Sequence, residues 1–444
     1  MLFNSTLFLI FFGLFFTAYW GLRKRVQSQN LLILAGSFFF YGWWDERFLI
    51  LISLSVACDY ICGLGAAGEK IKREDAKKII AFIVGVAFIA TIGSLSDSWM
   101  YFLLVVCAIP TGLCLSALIN KLASEKRRRA YLFVSLFFNL GLLVIFKYFG
   151  FFTESLLSAA QSVGINLDSA IISIVLPVGI SFYTFQTLSY TIDIWRGDMQ
   201  PTRRLLNFAA YVSFFPQLVA GPIERARRLL PQFEVQRSWD SDKIASGSVL
   251  FLWGFYKKTV IADNLAPIVN TAFAAPSTVE PAVLLLGVLA FAIQIFCDFS
   301  GYSDMARGLA RMLGFELMLN FNLPYFARTP SEFWRRWHIS LSTWLRDYLY
   351  IPLGGNKFGK FITYRNLIIT MLLGGLWHGA AWTFIIWGAF HGGILALYRL
   401  AGIDGWLASV KRGTGYVIAH GGAWVVMSVL TLMGWVLFLS LIHI

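Results

Sequence analysis

The sequence predicts an all-α protein that crosses a membrane many times as a bundle of helices. Apolar residues make up 58% of the 444 residues and charged residues only 14%, whereas an ordinary soluble domain has roughly 25% charged residues. The apolar residues gather in about a dozen stretches, many of them close to the roughly 20 residues that a spanning helix needs. Because short loops join these stretches, we expect one polytopic domain over residues 1–444.

The first six apolar stretches are rich in Phe, Leu and Ile and almost free of charged residues. We interpret them as membrane spans, and residues 1–152 as mainly scaffold. Their approximate limits are 4–22, 30–44, 47–64, 79–95, 99–119 and 130–152.

The loops between these stretches alternate in charge. Thirteen Lys and Arg side chains follow the first, third and fifth stretches, whereas the loops at 44–48, 94–99 and 153–170 together contain only Arg47. Because Lys and Arg in short loops stay on the cytoplasmic side, we expect the amino terminus outside. The net charge of +13 is then a signal of membrane orientation, and we expect contact with the lipid bilayer and not with nucleic acid. The thirteen residues are Arg23, Lys24, Arg25, Lys70, Lys72, Arg73, Lys77, Lys78, Lys121, Lys126, Arg127, Arg128 and Arg129.

From about residue 172 the apolar stretches contain polar residues at membrane depth, which is costly and usually functional. Pro177 and Gly179 within the stretch Ile172–Ile194 predict a kinked helix that faces protein or water. The stretch Phe208–Gly221 is too short for a full span, which favours a re-entrant or interfacial segment. Two further spans are predicted over 246–268 and 281–300, the second ending in the run Asp298–Asp304.

Residues 329–350 predict a helix with a well-defined start. Thr329 and Glu332 have the spacing of a capping box, and Pro330 falls at the first helical position. Four charged residues oppose a passage through hydrocarbon, so we expect this helix at the interface or packed against the bundle. Its aromatic and apolar stripe is Trp334, Trp337, Leu341, Trp344 and Tyr348, and the last predicted spans are 366–377, 382–397 and 416–441.

Three of the five histidines are candidates for chemistry. His338 lies in the predicted interfacial helix, His378 lies between glycines in an apolar stretch, and His391 follows in Trp387-Gly-Ala-Phe-His391. A histidine at membrane depth is a functional candidate, although a core imidazole bonded to a backbone carbonyl remains open for each. A lone buried base suits activation of a hydroxyl for acyl transfer.

Other chemistries have less support. No histidine pair has the short spacing of a helical metal-ligand pair, so we expect no metal. The sequence lacks a Gly-x-Ser-x-Gly elbow, a dinucleotide fingerprint and a P-loop. A transporter or channel remains an alternative, because broken helices with polar residues at midplane also describe those proteins.

Several long motifs resemble the membrane-bound O-acyltransferase superfamily, and within it the bacterial alginate O-acetylase branch. The resemblance covers most of the chain from about residue 130. The motifs are PVGISFYTFQTLSYTIDIWRG (177–197), FFPQLVAGPIERARRLLPQF (214–233), DFSGYSDMARG (298–308), FNLPYFARTPSEFWRRWHISLSTWLRDYLYIPLGG (321–355) and GLWHGAAWTFIIWGAFHG (375–392).

The resemblance implies a helical bundle around a central tunnel, with its catalytic core within residues 172–397. The buried histidine of the family falls on His378, which would be the general base, and its second histidine falls on His338. Arg335 and Arg336 would line the donor side. The same motifs make Trp377, Asp298 and His391 candidates for contact with substrates.

The resemblance also implies acetyl-coenzyme A as donor, with no bound cofactor, and an exported polysaccharide as acceptor, reached through a separate exported transferase. The location would be the bacterial cytoplasmic membrane. Peptidoglycan O-acylation and D-alanyl transfer by the same fold remain alternatives. Relatives usually continue beyond the last span. We therefore interpret residues 416–444 as a span that a truncated reading frame cuts short, and we assign no role to His443.

Overall fold

The computed structural model describes residues 1–91, 95–165, 175–274 and 279–439, without the side chains of residues 91 and 95–101. Within these ranges the regular structure is helical and no strand occurs, which confirms the predicted all-α class. The backbone forms two compact units, Met1–Val249 with Ala306–Leu317, and Leu250–Met305 with the described residues from Met318 onward. The prediction of a single domain over residues 1–444 stays a prediction.

The first unit contains the amino-terminal helices. They are α1 (Thr6–Gly21), α2 (Val26–Gly42), α3 (Phe48–Ala66), α4 (Arg73–Thr91), α5 (Leu95–Ile119), α6 (Ser124–Leu143), α7 (Phe149–Ser162), α8 (Ile180–Arg196), α9 (Leu205–Val212), α10 (Phe215–Leu218), α11 (Ala226–Leu229) and the start of α12 (Ser241–Tyr256). A π-helical turn, Val144–Tyr148, joins α6 to α7.

The second unit contains the carboxyl-terminal helices and most of α14. They are α13 (Asp263–Ala274), α14 (Pro281–Met312), α15 (Pro330–Arg336), α16 (Ile339–Leu345), α17 (Gly359–His378), α18 (Trp382–Leu400), α19 (Ile403–Ser409) and α20 (Thr414–Leu439). Two π-helical turns, Lys257–Ala262 and Arg346–Tyr350, follow α12 and α16.

Six helical segments of the described residues are long and apolar enough to cross a membrane, judged by length and composition. All six overlap stretches that the sequence predicts as spans. The segments are Phe48–Ala66, Phe102–Ile119, Ser124–Ser162, Pro281–Met312, Trp382–Leu400 and Thr414–Leu439.

A buried carboxylate shows how the first unit accommodates a charge-bearing residue inside an apolar helix. Asp59 of α3 is fully buried. Its carboxylate accepts hydrogen bonds from Ser135 Oγ at 2.5 Å, Asn139 Nδ2 at 2.7 Å and Thr191 Oγ1 at 3.0 Å. Buried polar groups are costly unless they are hydrogen-bonded, so this cluster ties α3 to α6 and α8.

The prediction of a kinked helix over 172–194 is wrong for the part that the structure describes. Pro177 and Gly179 precede α8, which begins at Ile180. Gly179 has φ of +78°, and a Cβ there would approach the carbonyl oxygen of Leu218 too closely. Proline disfavours a helical conformation at the residue before it, so the motif starts a helix instead of bending one. Residues 172–174 lie outside the described residues.

Two further helix limits differ from the prediction. The span predicted to end at residue 300 continues to Met312, so Asp298–Asp304 lies within α14 and does not end it. The single helix predicted over 329–350 is divided into α15, α16 and a π-helical turn, with Trp337 and His338 at the break. The segment 208–221 forms short helices, α9 and α10, as its length suggested.

Helices α17 and α18 approach closely through glycine. A Cβ at Gly388 would collide with the carbonyl oxygen of Met371, and one at Gly375 would collide with that of Phe384. Close helix packing through small residues is common in membranes, where the apolar lipid offers no driving force for association.

We expect Gly388→Ala to lower the stability of the protein by roughly 1–3 kcal/mol, because the added methyl group overpacks the α17–α18 contact. Gly393→Ala on the same helix is the matched control, since a Cβ there meets nothing within 4 Å. Thermal unfolding of both variants in detergent measures the difference. Equal melting temperatures would contradict the close approach.

Candidate active site

His338 lies at the break between two short helices, which places its backbone in an unusual conformation. Its φ and ψ are 43° and 54°, in the left-handed region. Upstream, Thr329 Oγ1 accepts a hydrogen bond from the amide of Glu332 at 3.2 Å, which confirms the predicted start of α15. Downstream, His338 Nδ1 accepts from the amide of Leu341 at 3.3 Å. His338 is therefore the N-cap residue of α16.

Asn320 holds this break from the preceding segment. Its carbonyl oxygen accepts a hydrogen bond from the amide of Ile339 at 2.9 Å. Its Oδ1 accepts from the amide and the hydroxyl of Ser340 at 3.2 and 2.9 Å, and its Nδ2 donates to Ser303 Oγ at 3.1 Å. Three of these bonds fix the two residues that follow His338, and the fourth anchors Asn320 itself, so the strained conformation persists because its neighbours hold it.

The bond from Leu341 sets the tautomer of His338. Because Nδ1 accepts a proton, the proton of the neutral imidazole is on Nε2. Nε2 is buried and has no hydrogen-bond partner among the described residues. His338 lies outside the candidate spans, and burial lowers its pKa to about 3. Its side chain is thus a neutral hydrogen-bond donor with an unused N–H.

His378 is the last residue of α17 and lies near His338. The ring centroids of the two imidazoles are 6.3 Å apart. Aromatic rings surround His378: the centroid of Trp387 lies at 5.2 Å and that of Phe438 at 5.7 Å. Its side chain is partly exposed, unlike that of the fully buried His338.

A cavity of about 210 Å³ is open to the side chain of His378. About three helical turns of α17 contribute one face to it, at positions 367, 370, 371, 374 and 378. Residues spaced by three and four positions lie on one side of a helix. The remaining walls come from α15, α16, α18 and the turn after α16. The lining residues are Trp334, Leu341, Ser342, Leu345, Arg346, Tyr350, Leu367, Thr370, Met371, Gly374, His378, Trp387, Leu395 and Arg399.

Polar groups are few along this cavity. Apart from His378, they include Ser342, Tyr350 and two exposed arginines, Arg346 and Arg399. Arg346 Nε donates to Asp347 Oδ1 at 2.6 Å. An apolar pocket with a few convergent polar groups is the usual form of a small-molecule site.

His391 occupies a different environment. It is 2% exposed, and its ring packs against Trp387 at 4.6 Å and Trp334 at 5.1 Å between centroids. It does not line the cavity. A Cβ at Gly434 would lie 2.9 Å from His391 Nε2, so this glycine of α20 allows the close approach. The geometry is that of a packed core imidazole.

The other predicted site residues divide into two groups. Trp377 is buried, and its ring lies 5.8 Å from that of His338. Arg335 is exposed, Arg336 pairs with Glu332 at 2.8 Å, and Asp298 pairs with Lys258 at 2.5 Å. These last three do not line the cavity of His378. Their predicted role near the substrates stays a prediction.

Sequence reasoning missed four polar residues of the site: Asn320, Ser342, Arg346 and Arg399. A signal for three of them exists in the helical spacing. Ser342 and Arg346 are four residues apart, and Arg399 lies one helical turn after Leu395. No local pattern marks Asn320, because its partners come from distant parts of the chain.

Comparison of the sequence with known protein families identifies the family of this chain. The model of the membrane-bound O-acyltransferase family matches residues 87–402. The chain belongs to this family. It is therefore an enzyme, an O-acyltransferase, and its apolar helices make it a multi-pass membrane protein. The alternative of a transporter or channel is not retained.

Curated relatives support the same assignment. The chain is 42% identical to the probable alginate O-acetylase AlgI of Azotobacter vinelandii, over 99% of this chain and 75% of the relative. It is 40% identical to the protein of the same name from Pseudomonas aeruginosa, over 99% of this chain and 72% of the relative. The peptidoglycan O-acetyltransferase of Helicobacter pylori is 32% identical over 90% of this chain and 70% of its own length.

We expect His338→Asn to fold nearly as well as the wild type and His338→Val to be less stable by roughly 2 kcal/mol. Asparagine tolerates the left-handed conformation and caps helices, whereas a β-branched residue does neither. Thermal unfolding of the two purified variants in detergent tests this. Similar melting temperatures would show that the break does not require its left-handed residue.

Proposed function

We propose that the protein transfers an acetyl group from acetyl-coenzyme A toward a hydroxyl of an exported polysaccharide, with His378 as general base. The observation that carries this proposal is the position of His378. Among the described histidines it alone lines the cavity of about 210 Å³. An imidazole on the wall of an apolar cavity is suited to take a proton from a hydroxyl.

The proposed reaction needs no cofactor. His378 takes the proton of the acceptor hydroxyl while its oxygen attacks the thioester carbonyl. The new C–O bond forms, the C–S bond breaks, and the leaving thiolate takes the proton from His378. Negative charge develops on the carbonyl oxygen during the attack, and a preorganised donor stabilises such charge.

We assign that donor to His338. Its Nε2–H has no other partner among the described residues, and its ring lies next to that of His378. Because Nδ1 is occupied as a helix cap, His338 is a poor candidate for the base. The two histidines would therefore have different roles.

The donor's phosphates would lie at Arg346 and Arg399. Both side chains are exposed and border the same cavity as His378. Arginine matches the geometry of phosphate oxygens through paired N–H groups. The apolar walls would then accept the uncharged pantetheine arm.

The acceptor is proposed from the relatives. Those with the higher identities, 42% and 40%, are probable alginate O-acetylases, which supports an alginate-type polysaccharide. The teichoic acid D-alanyltransferase of Streptococcus thermophilus is 30% identical over only 53% of this chain, so D-alanyl transfer has less support. Radiolabelled acetyl-coenzyme A, incubated with the purified protein, its exported transferase partner and each candidate glycan, tests the acceptor.

We further propose a cytoplasmic (inner) membrane location with the amino terminus outside, based on the thirteen basic residues against one in the early loops. Labelling of a cysteine introduced at Ser28 by an impermeant external reagent would contradict this orientation.

Because the early external loops are short, a separate exported transferase would deliver acetyl to the polymer. Efficient polymer acetylation by the purified chain alone, in vesicles, would contradict that relay.

We expect His378→Ala to lower acetyl transfer by roughly a hundred- to ten-thousandfold, the usual contribution of a general base. The assay is turnover of acetyl-coenzyme A by purified protein with a small hydroxyl acceptor. His420→Ala is the control, since His420 lies outside the cavity and contacts Arg328 at 2.9 Å. Wild-type activity in a folded His378→Ala variant would leave that residue without a catalytic role.

We expect Arg346→Gln and Arg399→Gln to raise KM for acetyl-coenzyme A by roughly tenfold each, since a hydrogen bond to a charged group is lost. KM for acetyl-pantetheine, which lacks the phosphates, should stay unchanged. Steady-state kinetics with both donors measures the contrast, and Arg412→Gln is an exposed control outside the cavity. Equal effects on both donors would place the arginines in another role.

A further inference from the structure

A second cavity, of about 230 Å³, lies in the first unit and is separate from the residues of the proposed reaction. Four helices, α3, α4, α5 and α6, form its walls. The lining residues are Leu54, Ala57, Cys58, Ile61, Cys62, Ile71, Ala76, Ile79, Ile80, Ile83, Ala108, Ile109, Thr111, Gly112, Leu113, Leu115, Ser116, Ile119, Tyr131, Val134 and Phe138.

The cavity is long and apolar. Its wall on α5 runs from Ala108 to Ile119, a rise of about 16 Å along a helix. The hydroxyl of Ser116 already donates to the carbonyl of Leu113 at 3.0 Å. Water needs several polar partners to occupy a cavity, and these walls offer few.

The rest of the protein covers little of α5, which forms one wall of the cavity. Only 11% of the segment Phe102–Ile119 is buried within the protein, so most of this helix is left to contact the bilayer. Gly112 is exposed, and a Cβ there would meet nothing within 4 Å. An unfilled apolar space loses the contacts that close packing would give, and the surrounding lipid has access to it.

Basic residues surround one end of the cavity. Ile71 lines that end, and Asn120 holds it through two backbone bonds of 3.1 Å. The flanking segments 70–78 and 121–129 contain ten Lys and Arg residues and three Asp and Glu residues. Lys72 and Lys77 are exposed. This end is therefore strongly positive, and the opposite charge in a membrane surface belongs to anionic phospholipid headgroups.

We propose that this cavity is a binding site for one anionic phospholipid of the bilayer, with an acyl chain in the cavity and its phosphate at the basic end. The apolar walls accept the chain, and the two basic segments select the headgroup. The acyl chain of a zwitterionic lipid fits the same walls, but its headgroup is attracted less strongly by the basic residues at that end of the cavity.

The test is native mass spectrometry of the purified full chain with phosphatidylglycerol or phosphatidylcholine. We expect the wild type to retain one phosphatidylglycerol in preference to phosphatidylcholine. Gly112→Leu fills the cavity and should abolish this retention. Gly85→Leu is the matched control, because Gly85 is also exposed on a helix with open space at its Cβ but does not line the cavity.

Two further variants test the acyl-chain site and the headgroup site separately. Ala108→Leu fills the cavity by a second route if Gly112→Leu does not fold. Lys72→Gln with Lys77→Gln should lower the preference for phosphatidylglycerol by roughly fivefold for each removed charge, whereas Lys24→Gln should not. Equal retention of the two lipids by the wild type would overturn the proposal, as would full retention by both folded cavity-filling variants.

Discussion

The constraint on which this structure depends is that polar groups inside an apolar helical bundle must find their partners within the protein. In the first unit the carboxylate of Asp59 satisfies this constraint by accepting hydrogen bonds from three side chains of α6 and α8. In the second unit Asn320 satisfies this constraint by accepting hydrogen bonds from the amides of Ile339 and Ser340, which follow the helix break. Such clusters fix the helices around them, because losing a single partner leaves a buried polar group unsatisfied.

The same constraint explains why His338 is held in a strained conformation. A continuous helix through residues 329–350 would satisfy the backbone by itself, but the amides of Ile339 and Ser340 bond to Asn320 instead. The imidazole then caps α16 in place of a backbone carbonyl. Backbone strain of this kind concentrates at functional sites, and here the strained residue places its ring 5.8 Å from that of Trp377 and 6.3 Å from that of His378.

The sequence predicted the helices well where local signals decide them. The early helices follow from apolar length, and three of them are long and apolar enough to span a membrane. The start of α15 follows from Thr329 and Pro330. It failed at His338, because the stripe Trp334, Trp337, Leu341 and Trp344 fits an unbroken helix. The deciding partner, Asn320, is distant in the chain. The resemblance made His378 a candidate, whereas Arg346 and Arg399 are brought to the same cavity only by the packing of several helices.

The proposed division of roles between the two histidines rests on this packing. An imidazole has two nitrogens, and a base must present one of them without its proton to the acceptor. In His338 the unprotonated nitrogen accepts a hydrogen bond from the amide of Leu341, so the nitrogen that remains, Nε2, carries the proton. His378 ends its helix and borders the cavity, where an acceptor can reach it. In the proposed reaction the helix cap at His338 therefore leaves the proton transfer to His378.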